Sequence, residues 1–297
     1  MMMRATTGLS YPVSILFISS VGWGLTWIPI KLLNGMGISG PELVFIAFLA
    51  GALVMLPFAL MQHRQWRKHL SLMILITLFG GFANVAFQTA LYYGDVIRVM
   101  ILFYLLPVWS VIGGKVFFGE IIDTKRVVTV VFSLGGAFLI LGGMAVFEQL
   151  PDWTDLMAIG AGFAFAMNNL LFRASPGVPL ISKVTAMFAG CSMMIGGFLV
   201  VANLPGGDYG LDVTLYSALY GLVWLTLITF GTQWGVTQIE AGRAAIIIVM
   251  ELVVAVVSAA LYAADWLSLI EIVGGVLVVT AAIIEGGREE TPEVEAA

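Results

Sequence analysis

Residues 88–120 read QTALYYGDVIRVMILFYLLPVWSVIGGKVFFGE, and residues 233–265 read QWGVTQIEAGRAAIIIVMELVVAVVSAALYAAD. Laid over each other without a gap, Gln88 falls on Gln233, Asp95 on Glu240, Arg98 on Arg243, and Gly119-Glu120 on Ala264-Asp265. Nearer the front, Gly22-Trp23-Gly24 matches Gly162-Phe163-Ala164. Matched polar positions at one offset inside apolar stretches indicate an internal duplication. The chain therefore divides into a first half at 1–147 and a second at 148–286, with an acidic, solvated tail at 287–297 that carries Glu289, Glu290, Glu293 and Glu295.

The rest of the composition says where such a chain can live. Of 297 residues 60% are apolar before 34 Gly are added, and 10% are charged. A soluble protein of this length cannot bury so much apolar surface, because much of any folded surface must still face water. That excludes a soluble enzyme, a nucleic-acid binder, a disordered protein and a secreted disulfide scaffold, and leaves a polytopic membrane protein in contact with the lipid bilayer. Cys191 is the one cysteine, and His63 and His69 share a basic loop, so no disulfide, metal site or cofactor is expected. Gly113-Gly114-Lys115 lacks the other residues of a phosphate-binding loop.

The fold class expected is all-α, with ten transmembrane helices at about 12–33, 40–61, 70–93, 97–118, 124–146, 154–173, 180–203, 213–237, 240–262 and 267–286. The first is kept as a span because its apolar stretch is long and lacks a small-x-small cleavage site. Five helices per half is an odd number, so the second half enters the membrane from the opposite side. Such inverted-topology repeats place a substrate site near the midplane, where the halves meet. Positive residues stay on the cytoplasmic side. Arg4, Arg64, Arg67, Lys68, Lys115, Lys125, Arg126, Arg173, Lys183, Arg243 and Arg288 fall on one side, and Lys31 and Arg98 on the other, which puts both termini in the cytoplasm. Lys31 and Arg98 read as snorkelling to the interface.

Trp23-Gly24, Leu106-Pro107-Val108, Gly119-Glu120 and the weaker second copy resemble the drug/metabolite transporter superfamily in its ten-helix form with two EamA-type halves. The second copy departs from that pattern, with Glu251-Leu252 where the family often has Glu-Pro and Ala264-Asp265 where it has Gly-Glu. The resemblance implies a carrier, not an enzyme. Within the superfamily, the length and the aromatic-rich helices are similar to the YddG-type aromatic amino acid exporters, which implies outward movement across the inner membrane.

Polar groups in hydrocarbon are costly and usually face the bundle interior. Asn84, Gln88 and Tyr92 share one helix face, as do Thr229, Gln233 and Thr237 in the other half. Asn168, Asn169, Trp23, Trp27, Tyr104 and Glu251 complete the candidate substrate-binding set. Amides pair with both ends of a zwitterion, and aromatic faces suit flat side chains and cations. The competing reading of these groups is interhelical bonding that holds the bundle. Glu251, near the middle of the ninth helix, reads either as a proton- or ammonium-binding site or as an acid bracing that helix. The expected partner is a small neutral or zwitterionic metabolite, amino acids foremost, carried by a monomer or homodimer. The alternative is an exporter of drug-like organic cations that uses Glu251. An intramembrane enzyme would need a nucleophile–base pair and a channel a ring or carbonyl filter, and the sequence shows neither.

Overall fold

A computed structural model describes residues 10–143, 150–203, 207, 209–264 and 266–288. Every regular element among them is a helix. The first span is α1 (Tyr11–Gly24) and α2 (Trp27–Asn34); the second is α3 (Gly40–Met61); α4 (His63–Trp66) caps the turn to the third, α5 (Leu70–Tyr93). The fourth is α6 (Val96–Phe103) and α7 (Leu106–Phe118), and the fifth is α8 (Thr124–Ile140). In the second half follow α9 (Trp153–Arg173), α10 (Leu180–Val201), an eighth span of α11 (Leu211–Leu219), a π-helical turn (Tyr220–Leu225) and α12 (Thr226–Gln238), a ninth of α13 (Ala241–Ile248) and α14 (Met250–Ala263), and α15 (Leu269–Gly286). Nine of these ten spans are long and apolar enough to cross a membrane. The fifth is 17 residues long and ends at Ile140, short of the expected 146, with Gly142 turning the chain at φ 69°; residues 144–146 lie outside the described ones, as do Asp265 and most of the acidic tail.

Local chemistry sets the boundaries. Capping boxes at Ser39/Glu42, Asp152/Asp155 and Ser268/Glu271 start the second, sixth and tenth spans. Asp95 and Asp123 accept from Arg98 N and Arg126 N and start the fourth and fifth. Gly119 ends the fourth span in the left-handed region at φ 70°, and Ala264, its match in the second half, ends the ninth there at φ 52°.

Three expected helices are each broken near mid-membrane: the first at residues 25–26, the fourth at 104–105 and the ninth at Val249. Pro29 and Pro107 account for the first two, since each lacks the N–H that the carbonyl four residues back requires. Leu252 stands where the first half has Pro107, yet the ninth span breaks as well, its Leu252 N–H donating to Val249 O at 3.0 Å. Pro57 leaves α3 continuous.

One apolar core runs from Val13 and Leu16 of the first span through Phe48, Phe172 and Phe188 to Ile247 and Ile248 of the ninth. A smaller core joins Tyr104, Ile140, Val249 and Val278, where α8 and α15 lie side by side.

Candidate substrate pathway

The three breaks converge. Tyr104, buried at the break of the fourth span, donates its hydroxyl to Glu251 Oε1 at 3.1 Å. Glu251 lies in the first turn of α14, just past the break of the ninth span. It is partly buried and has no ion-pair partner among the described residues. The first span reaches the same place through Gly24, where a Cβ would stand 2.5 Å from the Glu251 carbonyl oxygen. Gly162 of α9 does the same to the fourth span, its Cβ position lying 2.5 Å from Phe103 O, the carbonyl that Pro107 cannot serve. Phe103 packs on Phe87 at 4.6 Å and Phe165 at 6.0 Å between ring centroids. The midplane junction therefore joins a carboxylate and a phenol to an aromatic cluster.

The other candidate residues divide into groups. Trp23 donates Nε1–H to Thr232 Oγ1 at 3.1 Å and Trp27 to Ser258 Oγ at 2.9 Å, tying the first span to the eighth and ninth. Gln233, 1% exposed, donates to Asn169 Oδ1 at 3.1 Å, and its own Oε1 has no partner. Gln88, its match, is half-buried and makes no hydrogen bond among the described residues. Gln88 lies toward the end of α5 and Gln233 toward the end of α12, so the two amides sit at opposite membrane depths. Asn84 donates to Cys191 at 3.0 Å and to Gly80 O at 3.1 Å. Asn168 is fully buried against Met187. These two amides join α5, α9 and α10 rather than the junction. Tyr92 is half exposed and packs on Tyr93 and Phe198 at the rim.

At the end where the basic residues gather, the halves are locked. The αL turn at Gly119 points Glu120 back across the bundle. There it accepts Ala241 N–H at 2.7 Å and Gly242 N–H at 3.3 Å, and pairs with Arg173. Its charge thus meets the positive end of α13. Arg126, 1% exposed, pairs with Glu240 and, at 3.1 Å, with the buried Glu285. Beside the membrane, the Arg126 N–H and the Arg288 guanidinium hold the Asp123 carboxyl below its ordinary pKa. Residues 241–250 are buried on every face, whereas 251–263 are at least partly exposed apart from Leu252. The ninth span is thus enclosed along its basic half and faces outward along the other.

Arg98 corrects an expectation. It does not snorkel: it is buried and paired with Asp155, its Nη2 2.7 Å from Oδ2, which ties the fourth span to the sixth at the end opposite the basic cluster. Lys31 is exposed, its ammonium 4.4 Å from the Tyr262 ring centroid. Sequence reasoning also missed Thr232, Ser258 and Trp224, which donates to Thr26 Oγ1 at 3.2 Å. Single hydroxyls in apolar helices gave no spacing signal. Among the described residues no three His, Cys, Asp or Glu side chains gather to hold a metal.

A solved structure described as "Crystal structure of protein" is similar to this chain at 14% identity and a TM-score of 0.74, over 93% of this chain and 96% of the other. At that identity the likeness establishes the fold alone. No curated protein matches significantly. Residues 11–142, the first five spans, match the model of the EamA-like transporter family. Over those residues, the first half of the chain, it is similar to the EamA-like transporter family, and its long apolar helices fit a multi-pass membrane protein.

Proposed function

We propose that the chain is a secondary transporter that exports small neutral or zwitterionic metabolites, aromatic amino acids first, by alternating access. The two halves, 1–147 and 148–286, rock about the junction of broken helices. The observation that carries this reading is the meeting of the three breaks at Tyr104 and Glu251, with aromatic rings beside them and a lock at one end of the bundle. Unwound helix at membrane depth is tolerated where it lines a cavity. The Glu251 carboxylate suits a substrate ammonium, the Gln88 amide suits either end of a zwitterion, and the rings suit a flat side chain. The same carboxylate, with a phenol and no basic partner among the described residues, favours drug-like organic cations as the second reading.

The test is counterflow of labelled amino acids and of an organic cation in proteoliposomes. A missing hydrogen bond in a dry site costs about 1–3 kcal/mol, so Gln88→Ala is expected to weaken substrate affinity by roughly 5- to 150-fold, whereas Gln233→Ala, which loses its bond to Asn169, should act on stability more than on affinity. Normal affinity in Gln88→Ala, at equal expression, would remove Gln88 from the site. In the same assay Glu251→Gln, which keeps shape but cannot titrate, should fold and bind yet lose any pH dependence of transport. A retained pH profile reduces Glu251 to a brace, and exchange of the cation alone selects the second reading.

The locked, basic end is assigned to the cytoplasm together with both termini, in the inner membrane. A cysteine placed at residue 66, with Cys191 replaced, should resist an impermeant thiol reagent in intact cells. Labelling from outside would reverse the orientation.

A further inference from the structure

Several of the chain's cations are spoken for. Arg98, Arg126, Arg173 and Arg288 sit in ion pairs, and Lys183 donates to Phe172 O and Ser175 O. The turn between the second and third spans is different. Arg64, Arg67 and Lys68 are all exposed there within five residues, and none has an acidic partner among the described residues. The turn is held in place all the same. Trp66 donates Nε1–H to Ala59 O at 2.8 Å, laying its indole along the end of α3. Gln62 Oε1 accepts from Ser182 Oγ of the second half at 2.7 Å, and His63 contacts Leu60 O at 3.0 Å. Three like charges held together repel one another unless an anion joins them.

We propose that residues 62–69 are a docking site for one anionic phospholipid. Arg64, Arg67 and Lys68 take its phosphodiester, and the acyl chains lie on the apolar surface on either side of the turn. That surface is present: Phe58, Leu60 and Met61 before the turn and Leu70 and Ile74 after it are each at least half exposed. A free phosphate would use the cations and leave this shelf idle, so a ligand with both head and tails fits better. The turn lies where a membrane surface must pass, at the shared end of two spans, and an indole at that level is the usual interfacial anchor. Because the turn is already pinned, little ordering is lost on binding. Through Gln62 and Ser182 the lipid would brace a point where the two halves touch.

The experiment uses the full chain in nanodiscs of phosphatidylcholine with a minor fraction of phosphatidylglycerol, and counts lipid retained on the protein by native mass spectrometry. Each basic residue beside an anionic surface is worth roughly fivefold. The triple variant Arg64→Gln, Arg67→Gln, Lys68→Gln should therefore retain phosphatidylglycerol about 100-fold more weakly. Arg67→Gln alone should lose about fivefold, and Lys125→Gln, one exposed cation outside the turn, no more than that single-charge effect. Equal retention by wild type and triple variant overturns the proposal. So does displacement of the lipid by millimolar inorganic phosphate, which would make the turn a general anion site. The readout is independent of transport, so failure of the proposed substrate leaves this result standing.

Discussion

Replacing Gly24 with leucine is expected to abolish transport and leave little folded protein. A Cβ at this position would stand 2.5 Å from the Glu251 carbonyl oxygen and 2.7 Å from Val254 Cβ. A flexible side-chain tip could move aside, but the obstacle is the backbone of α14, at the start of which the acid itself is placed. Overpacking of a close-packed site costs about 1–3 kcal/mol and sometimes more. Here the shift also pulls Glu251 from Tyr104 and Trp27 from Ser258. Gly135→Ala is the contrast: nothing lies within 4 Å of a Cβ there. In mid-helix that change should be neutral or stabilise by up to about 1 kcal/mol. Thermal unfolding in detergent and counterflow in proteoliposomes check both. Wild-type stability and transport in Gly24→Leu would show that the first and ninth spans do not meet there.

Arg126→Met is expected to be the most destabilising change at the locked end. Arg126 and Glu285 are 1% and 0% exposed in their side chains, and Glu240 is 18% exposed. Thr129 Oγ1 also donates to Glu285 at 2.6 Å. Removing one partner of a buried pair costs about 3–5 kcal/mol, because the remaining charge is stranded. Arg288, 3.6 Å from Glu285, offers partial relief and sets the lower end of that range. Pairing Arg126→Met with Glu285→Gln removes the stranded charge and should recover much of the loss. Unfolding monitored by size-exclusion chromatography after heating reads both variants. An unchanged melting point for Arg126→Met would mean the cluster is solvated and does not lock the halves.

Membrane embedding and the approximate course of the spans were legible in the chain itself. Backbone groups in lipid must be satisfied within each span, so a span announces itself as a continuous apolar run. The caps at Ser39, Asp95, Asp123, Asp152 and Ser268 emerged only with the structure, although they act over three residues and need no distant partner. The sequence also sets Gln88 against Gln233, Arg98 against Arg243, and Gly119 against Ala264. What each matched residue does was not legible. Arg98 and Arg243 occupy equivalent positions, yet one pairs with Asp155 and the other donates to Gly286 O at 2.8 Å. Gln233 is spent on Asn169 while Gln88 is unused. Positions matched in the sequence meet unlike neighbours in the bundle, and the neighbours decide what each side chain does. The break of the ninth span shows the same limit. Pro107 writes the first-half break into the sequence by removing a donor, whereas Leu252 leaves no such mark, and there only the packing of the first, fourth and ninth spans around Glu251 decides where the helix parts.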